Sequence, residues 1–199
     1  MEPERATRGL RRLWPLAALA VAVLALFGAG GFERRTDQLV PAALGAEVDS
    51  HNLVFTFTSG TLQSVTDFSG DQDWRIVLAG TVRNPNDEAL APITGAYGNF
   101  IVHDPVSRLT AEPEGVQIGD SDHRGLVPPG DTTFDLRVTF TLPEQYRPAA
   151  GIELGVFPME YTDNVILGLG GGSRTWNVDS HAPAALLQVP LERLPDQAD

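Results

Sequence analysis

The sequence predicts an all-β protein, an antiparallel two-sheet sandwich preceded by one N-terminal transmembrane helix. Three observations carry this. Apolar and polar residues alternate with period two in several segments, Gly and Pro punctuate them at hairpin spacing, and one uncharged run follows a cluster of arginines.

The run comes first. Residues 1–12 read as a cytoplasmic basic tail with Arg5, Arg8, Arg11 and Arg12, and residues 13–31, "LWPLAALAVAVLALFGAGG", as the transmembrane helix. At helical rise this segment spans about 28 Å, close to the hydrocarbon thickness of a bilayer. Pro15 falls in the first turn, where a missing N–H is tolerated, and Trp14 suits the interface. Four arginines before the run against Arg34 and Arg35 after it keep the N-terminus inside and place the rest outside. The rival reading is a cleaved signal peptide, because the run is Ala-rich and ends in Gly28-Ala29-Gly30; no Ala-x-Ala follows it, however. Either way the domain is exported: membrane-held in the first reading, secreted in the second.

Residues 32–47 carry Pro41 and Gly45 without a clear period and read as a tether. Residues 48–194 read as the extracytoplasmic domain and 195–199 as a tail. In "HNLVFTFTSG" Leu53, Phe55 and Phe57 share a face. "WRIVLAGTVRN" sets Trp74, Ile76, Leu78 and Val82 against Arg75, Thr81 and Arg83. In "TTFDLRVTFTL" Phe134, Leu136, Val138, Phe140 and Leu142 point inward. "GNFIVHD", "IELGVFPMEY", "NVILGL", "RTWNV" and "ALLQVPLERL" are further short strands, and one helical turn is expected within 143–151. Seven to nine strands favour a sandwich over a barrel. Without cysteine, Trp74, Trp176 and the phenylalanines must supply the core.

The run breaks at Asn84-Pro85-Asn86. Pro85 pushes Asn84 toward extended geometry and presets its own φ, so the stretch is a strand exit capped by Asn86 and Asp87. "TVRNPNDEALAPITGAYGNFIVHDP" followed by "LVPPGDTTFDLRVTFTLPEQY" resembles bacterial exported immunoglobulin-like domains of uncharacterised function, over about residues 74–146. It is also similar to late-embryogenesis-type domains, whose strands end in an Asn-Pro-Asn turn. The resemblance implies an immunoglobulin-like sandwich in the cell envelope and transfers no active-site residue.

Charge and motif spacing narrow the function. Residues 32–199 hold ten arginines, no lysine and 24 acids, a net charge of −14 that repels nucleic acid. The absence of cysteine excludes disulfides, thiolate metal sites and a lipidated-cysteine anchor. Asp-Ser-His at 49–51 and 179–181 and Asp-Ser-Asp-His at 120–123 evoke hydrolase triads. Neighbours on an extended chain face opposite ways, though, and no Gly-x-Ser-x-Gly elbow exists. His51, His103, His123 and His181 are scattered singly, so no metal site is expected. Asp67, Asp71 and Asp73 around Gly70 lack the closing acid of a calcium loop and read as a hairpin turn. Gly168–Arg174 lacks the Lys-Ser/Thr of a phosphate loop and reads as a glycine-rich hairpin tip, with Trp176 behind it as core.

The reading is a membrane-anchored extracytoplasmic binding or scaffolding protein, with no enzymatic activity and no cofactor. Its partners are the membrane, through the N-terminal helix, and another protein, with no nucleic acid. The alternatives are an exported metal- or small-ligand-binding module and, third, an exported hydrolase. The working surface expected is the long acidic connection 105–131. Within it, residues 119–125 present Asp120, Asp122, His123 and Arg124 to a partner.

Overall fold

The computed structural model describes residues 39–66, 70, 72–95, 98–119, 125–147, 149–166, 169–179, 181–182 and 184–195. The transmembrane helix expected at 13–31, the basic tail, and Asp120, Asp122, His123 and Arg124 all lie outside the described residues, as do Asp67 and Asp71.

Two antiparallel layers enclose the core. One runs in the order β3 (Val54–Thr66), β4 (Gln72–Asn84), β8 (Gly130–Leu142), β7 (Pro113–Ile118), with the short β2 (Glu47–Asp49) on the start of β3. The other runs β12 (Ala185–Arg193), β9 (Gly151–Val156), β5 (Phe100–His103), β6 (Thr110–Ala111), with β1 (Val40–Ala42) parallel to β12. β12 joins the layers: residues up to Pro190 pair with β9, whereas Leu191–Arg193 pair in parallel with Gly60–Leu62 of β3. β10 (Met159–Ile166) and β11 (Leu169–Val178) form a separate two-stranded ribbon. The described residues thus form an all-β sandwich without a helix.

The inward sets follow the alternation. Ile76, Leu78 and Val82 from β4 and Leu136, Val138, Phe140 and Leu142 from β8 are buried against Phe100, Val102, Ile152, Leu154, Leu187 and Val189 of the other layer. Phe55 and Phe57 of β3 reach across to Phe100 of β5, with centroids 4.7 and 5.6 Å away in edge-on geometry. That arrangement suits the quadrupoles of aromatic rings.

β3 departs from a single period. Phe57 pairs with Gly80 and Ser59 with Ala79, so Thr58 is an extra residue, a β-bulge. Odd residues Leu53, Phe55 and Phe57 face inward before it; even residues Gly60, Leu62 and Ser64 are buried after it, as is Val65 near the strand's end. The strand thereby stays in phase with the core over 13 residues while its register slips by one.

The layout differs from the sequence expectation in several places. Among the described residues twelve strands replace the seven to nine expected. Residues 40–42 and 47, read as tether, are built into strands because β12 and β3 offer them open edges. "IELGVFPMEY" is two strands: Pro158 has no N–H for a ladder, and the chain leaves the layer there. The 143–151 stretch holds a hydrogen-bonded turn, Tyr146 N–H to Pro143 C=O at 2.8 Å, and no helix among its described residues. Glycines 170–172 lie within β11 and not at a tip. Trp176 is outside the core, because its strand pairs with β10 alone. Trp74 is only half-buried, its ring edge-on to Tyr146 at 6.5 Å and under the Arg193 guanidinium at 5.0 Å. Within the 105–131 connection, residues 113–118 form β7.

Candidate functional site

Register places four connections at one end of the sandwich. Val54 pairs with Arg83, and Asn84 with Gly130, so the 50–53 loop, the Asn-Pro-Asn corner and the start of β8 lie together. In the second layer Phe100, Val156 and Ala185 share one level, so the ribbon departs from and returns to this same end.

A buried polar network ties these connections. The Asn84 amide donates to Glu88 C=O at 2.6 Å and Val127 C=O at 3.0 Å, and its oxygen accepts from the Asn86 N–H at 3.0 Å. The Asn86 amide donates to Asn52 C=O at 2.6 Å. Ser50 Oγ donates to Asn52 Oδ1 at 2.7 Å, and the Asn99 amide donates to the same oxygen at 3.1 Å while accepting from Ile93 N–H at 2.8 Å. Ser50, Asn52, Asn84 and Asn99 are all essentially inaccessible. Buried amides are tolerated where their hydrogen bonds are made, and here they lock non-regular chain in place. The corner is therefore the strand exit expected, with Asn84 as its main clamp and Asp87 exposed.

The network also holds the ribbon's root. Met159 N–H donates to Ser50 C=O at 2.9 Å, Phe157 N–H to Asn99 C=O at 2.9 Å, and Asp179 N–H to Pro158 C=O at 2.9 Å. His51, at a left-handed φ of 66°, sets its Nδ1 3.0 Å from Met159 C=O. The Asp49-Ser50-His51 triplet turns out to be a tight turn, and Asp179 bonds to His181 in the same way across Ser180, which lies outside the described residues. The Asp49 carboxylate accepts the His51 N–H at 2.7 Å, and that of Asp179 accepts the His181 N–H at 2.8 Å. Ser50 Oγ bonds to Asn52 and Leu53, not to an imidazole. Among the described residues no three His, Asp or Glu side chains converge on a common point.

Beyond its root the ribbon pairs only with itself, and its faces differ. Tyr161 and Trp176 are cross-strand partners with ring centroids 5.1 Å apart, and the Arg174 guanidinium lies 5.9 Å from the Tyr161 centroid. The opposite face is polar, with Asn177 donating to Thr162 at 2.7 Å. Tyr161 is 49% exposed. Beside the root, Phe100, Ile101, Phe157 and Val178 line a small apolar pocket of about 140 Å³, with Glu112 at its rim. Ligand sites for drug-sized molecules usually exceed ~300 Å³, so this pocket suits a single side chain. The sequence expectation includes two strands here, "NVILGL" and "RTWNV", about a glycine-rich tip, but not their separation from the sandwich; the three glycines, a poor composition for a packed strand, are the one local sign of it.

Away from this end, His103 Nδ1 lies 2.9 Å from Glu153 Oε2, and Gln188 donates to Glu153 Oε1 at 2.7 Å. The bond from His103, then that from Gln188, holds the Glu153 carboxyl below its ordinary value. Asp104 is fully buried. Burial alone would raise its carboxyl, but bonds from Ser107 and the Val106 amide outweigh this and lower it. A lowered carboxyl adds stability above its unfolded pKa, and that stability is lost as pH falls through the folded value. The melting temperature is expected to hold from pH ~7 to ~5 and to fall below about pH 4. Asp104→Asn should flatten the acid limb in melts across this range; an unaltered slope would mean that Asp104 contributes nothing to it.

No family model matches the sequence, and no curated protein does. An uncharacterised β-sandwich protein from Clostridium difficile 630 is similar in structure, with 10% identity and a TM-score of 0.42 over 78% of this chain and 99% of that one. The secreted protein MPT63 from Mycobacterium tuberculosis is similar with 12% identity and a TM-score of 0.37, over 75% of this chain and 97% of that one. Values this low carry no functional information.

Proposed function

We propose that the chain is a membrane-anchored, extracytoplasmic, non-catalytic binding or scaffolding protein built on an immunoglobulin-like sandwich. One observation carries the reading: a self-paired ribbon with an exposed tyrosine, Tyr161, stands on a polar-locked root at the loop-bearing end of a rigid sandwich. Loops held by such frameworks are common binding surfaces.

The strand order supports the immunoglobulin-like assignment. β3-β4-β8-β7 corresponds to the A-B-E-D sheet, and β12-β9-β5-β6 to the sheet of G, F and C with one added edge strand. On that mapping the ribbon occupies the F–G connection, which in variable domains is a binding loop. Tyr146, fully buried between β8 and β9, stands where such domains place a corner tyrosine, although its hydroxyl makes no well-formed hydrogen bond. Burial raises its phenol pKa.

The anchored topology rests on the excess of Arg5, Arg8, Arg11 and Arg12 over Arg34 and Arg35. Protease added to intact protoplasts is expected to remove a C-terminal tag from membrane-retained chain. A tag digested only after lysis would contradict the outward orientation, and a tagged chain free in the medium would contradict the anchor.

A further inference from the structure

Alternate residues of β4, β8 and β7 face away from the core and form the outer surface of their layer. On β4 these include Arg75, Val77 and Ala79, level with Thr141, Thr139 and Arg137 of β8; Gly115 and Gln117 of β7 continue the last two rungs. Between the two arginines this surface sinks into an open trough of about 480 Å³. That volume falls in the ~300–1,000 Å³ range of small-ligand sites, unlike the pocket at the ribbon root. Its floor is the rung of Val77, Thr139 and Gly115. Arg75 and Arg137 flank that rung on either side, about 13 Å apart along the strand direction.

Gly115 keeps the floor low. β7 is bulged between Pro113 and Gly115, yet Gly115 has no left-handed φ, and a Cβ built on it meets nothing within 4 Å. Neither backbone conformation nor packing therefore requires glycine here. Glycine weakens a strand, and in such positions it often marks the close approach of a ligand.

The arginines are not engaged within the fold. Arg83, on the same outer face, is paired with Glu47 at 3.2 Å and Asp131 at 3.6 Å. Arg75 and Arg137 are exposed and make no ion pair or hydrogen bond with any described residue. Glu114 lines the trough as well, but its carboxylate accepts the Thr141 hydroxyl and pairs with neither arginine. Asp135, the next outward residue of β8, pairs with neither. Two guanidinium forks beside one concavity are suited to an anionic oxygen group from outside the chain.

We infer that this trough binds a small polar acid, a carboxylate or phosphate on a hydroxylated skeleton such as a sugar acid or sugar phosphate. The guanidiniums take the anionic group, and Thr139, Gln117 and the Glu114 carboxylate offer partners to hydroxyls. The net charge of −14 beyond residue 31 repels long polyanions. A single acidic group held by two guanidiniums lies well inside the ~8 Å screening length and is governed by them. A protein fits less well: no aromatic side chain lines the trough among the described residues, whereas protein interfaces centre on aromatic and apolar groups. The trough lies along β4 from Ala79 to Arg75, away from the ribbon end marked by Arg83 and Asn84. It is a second site, independent of the ribbon and of the anchor.

The test is a calorimetric titration of the full-length chain in detergent with glucuronic acid, glucose 6-phosphate, glucose and inorganic phosphate. The two sugar acids are expected to bind, glucose not at all, and inorganic phosphate more weakly than its sugar ester. Arg75→Gln and Arg137→Gln should each weaken binding about tenfold or more. Gly115→Ile should fill the trough and abolish binding while the melting temperature stays at or above that of the parent, because its Cβ enters open space and β-branched residues suit strands. A glucuronate-containing tetrasaccharide distinguishes the sources: tighter binding than the monomer supports a unit carried by a glycan, weaker binding a free sugar acid. The inference is overturned if neither acid binds, if glucose or inorganic phosphate binds as tightly as the acids, or if affinity is undiminished in any of the three variants.

Discussion

Gly80→Ala is expected to be the most damaging single substitution in the sandwich, leaving the chain largely unfolded or lowering its stability by at least ~3 kcal/mol. A methyl group built at position 80 would sit 2.0 Å from the Thr56 carbonyl oxygen and 2.9 Å from the Phe57 Cα. Both are backbone atoms in the strand opposite, so no rotamer change relieves the contact. Gly80 is the residue across from Phe57, where the bulge at Thr58 begins, and there the two backbones approach more closely than a Cβ allows. Relief requires β3 and β4 to part at the rung that shifts the phase of β3. Chemical denaturation of the purified protein reads the loss. A Gly80→Ala variant that melts within ~1 kcal/mol of the parent would mean that the bulge is not as described.

Phe100→Ala is expected to remove about 3–5 kcal/mol. Phe100 is buried on β5, and its ring is the contact from the second layer to Phe55 and Phe57 of the first. Truncation leaves two rings of β3 without their edge-on partner and opens a void beneath the pocket at the ribbon root. Close-packed interiors relax only in part around such voids. Phe134→Ala gives the contrast. Phe134 lies on the same alternating face of β8 but is only partly buried, so its truncation should be milder. Equal losses for the two variants would contradict the placement of Phe100 at the centre of the core.

How much of this was legible in the sequence depends on the range of the signal. β8 was readable because its alternation is uninterrupted from Phe134 to Leu142 and its inner face is wholly apolar. The Asn-Pro-Asn corner was readable as a turn, since Pro85 constrains its neighbour locally. Its partners Ser50, Asn52 and Asn99 were not, because amides brought together from separate loops leave no period along the chain. The phase change in β3 was hidden for a different reason. Thr58 and Ser59 are polar on either reading, so only the pairing with Gly80 and Ala79 exposes the extra residue. Trp176 was assigned to the core on size alone, and nothing local states which strand its own strand will join. The 105–131 connection shrinks as a loop once β6 and β7 are placed within it. Its expected contact residues Asp120, Asp122, His123 and Arg124 lie outside the described residues, so the candidate surface described is the ribbon beside it.

The ribbon end is the proposed working end of the sandwich. The most direct measurement is photocrosslinking in native membranes, with a photoreactive phenylalanine analogue at Tyr161 on the ribbon or at Val106 on the far turn. Both positions are exposed, 49% and 73%, so accessibility does not favour the ribbon. Mass spectrometry of the purified chain then reads lipid and protein adducts together. Adducts are expected at position 161 and an essentially unmodified chain from position 106. Adducts at 106 with none at 161 would contradict this.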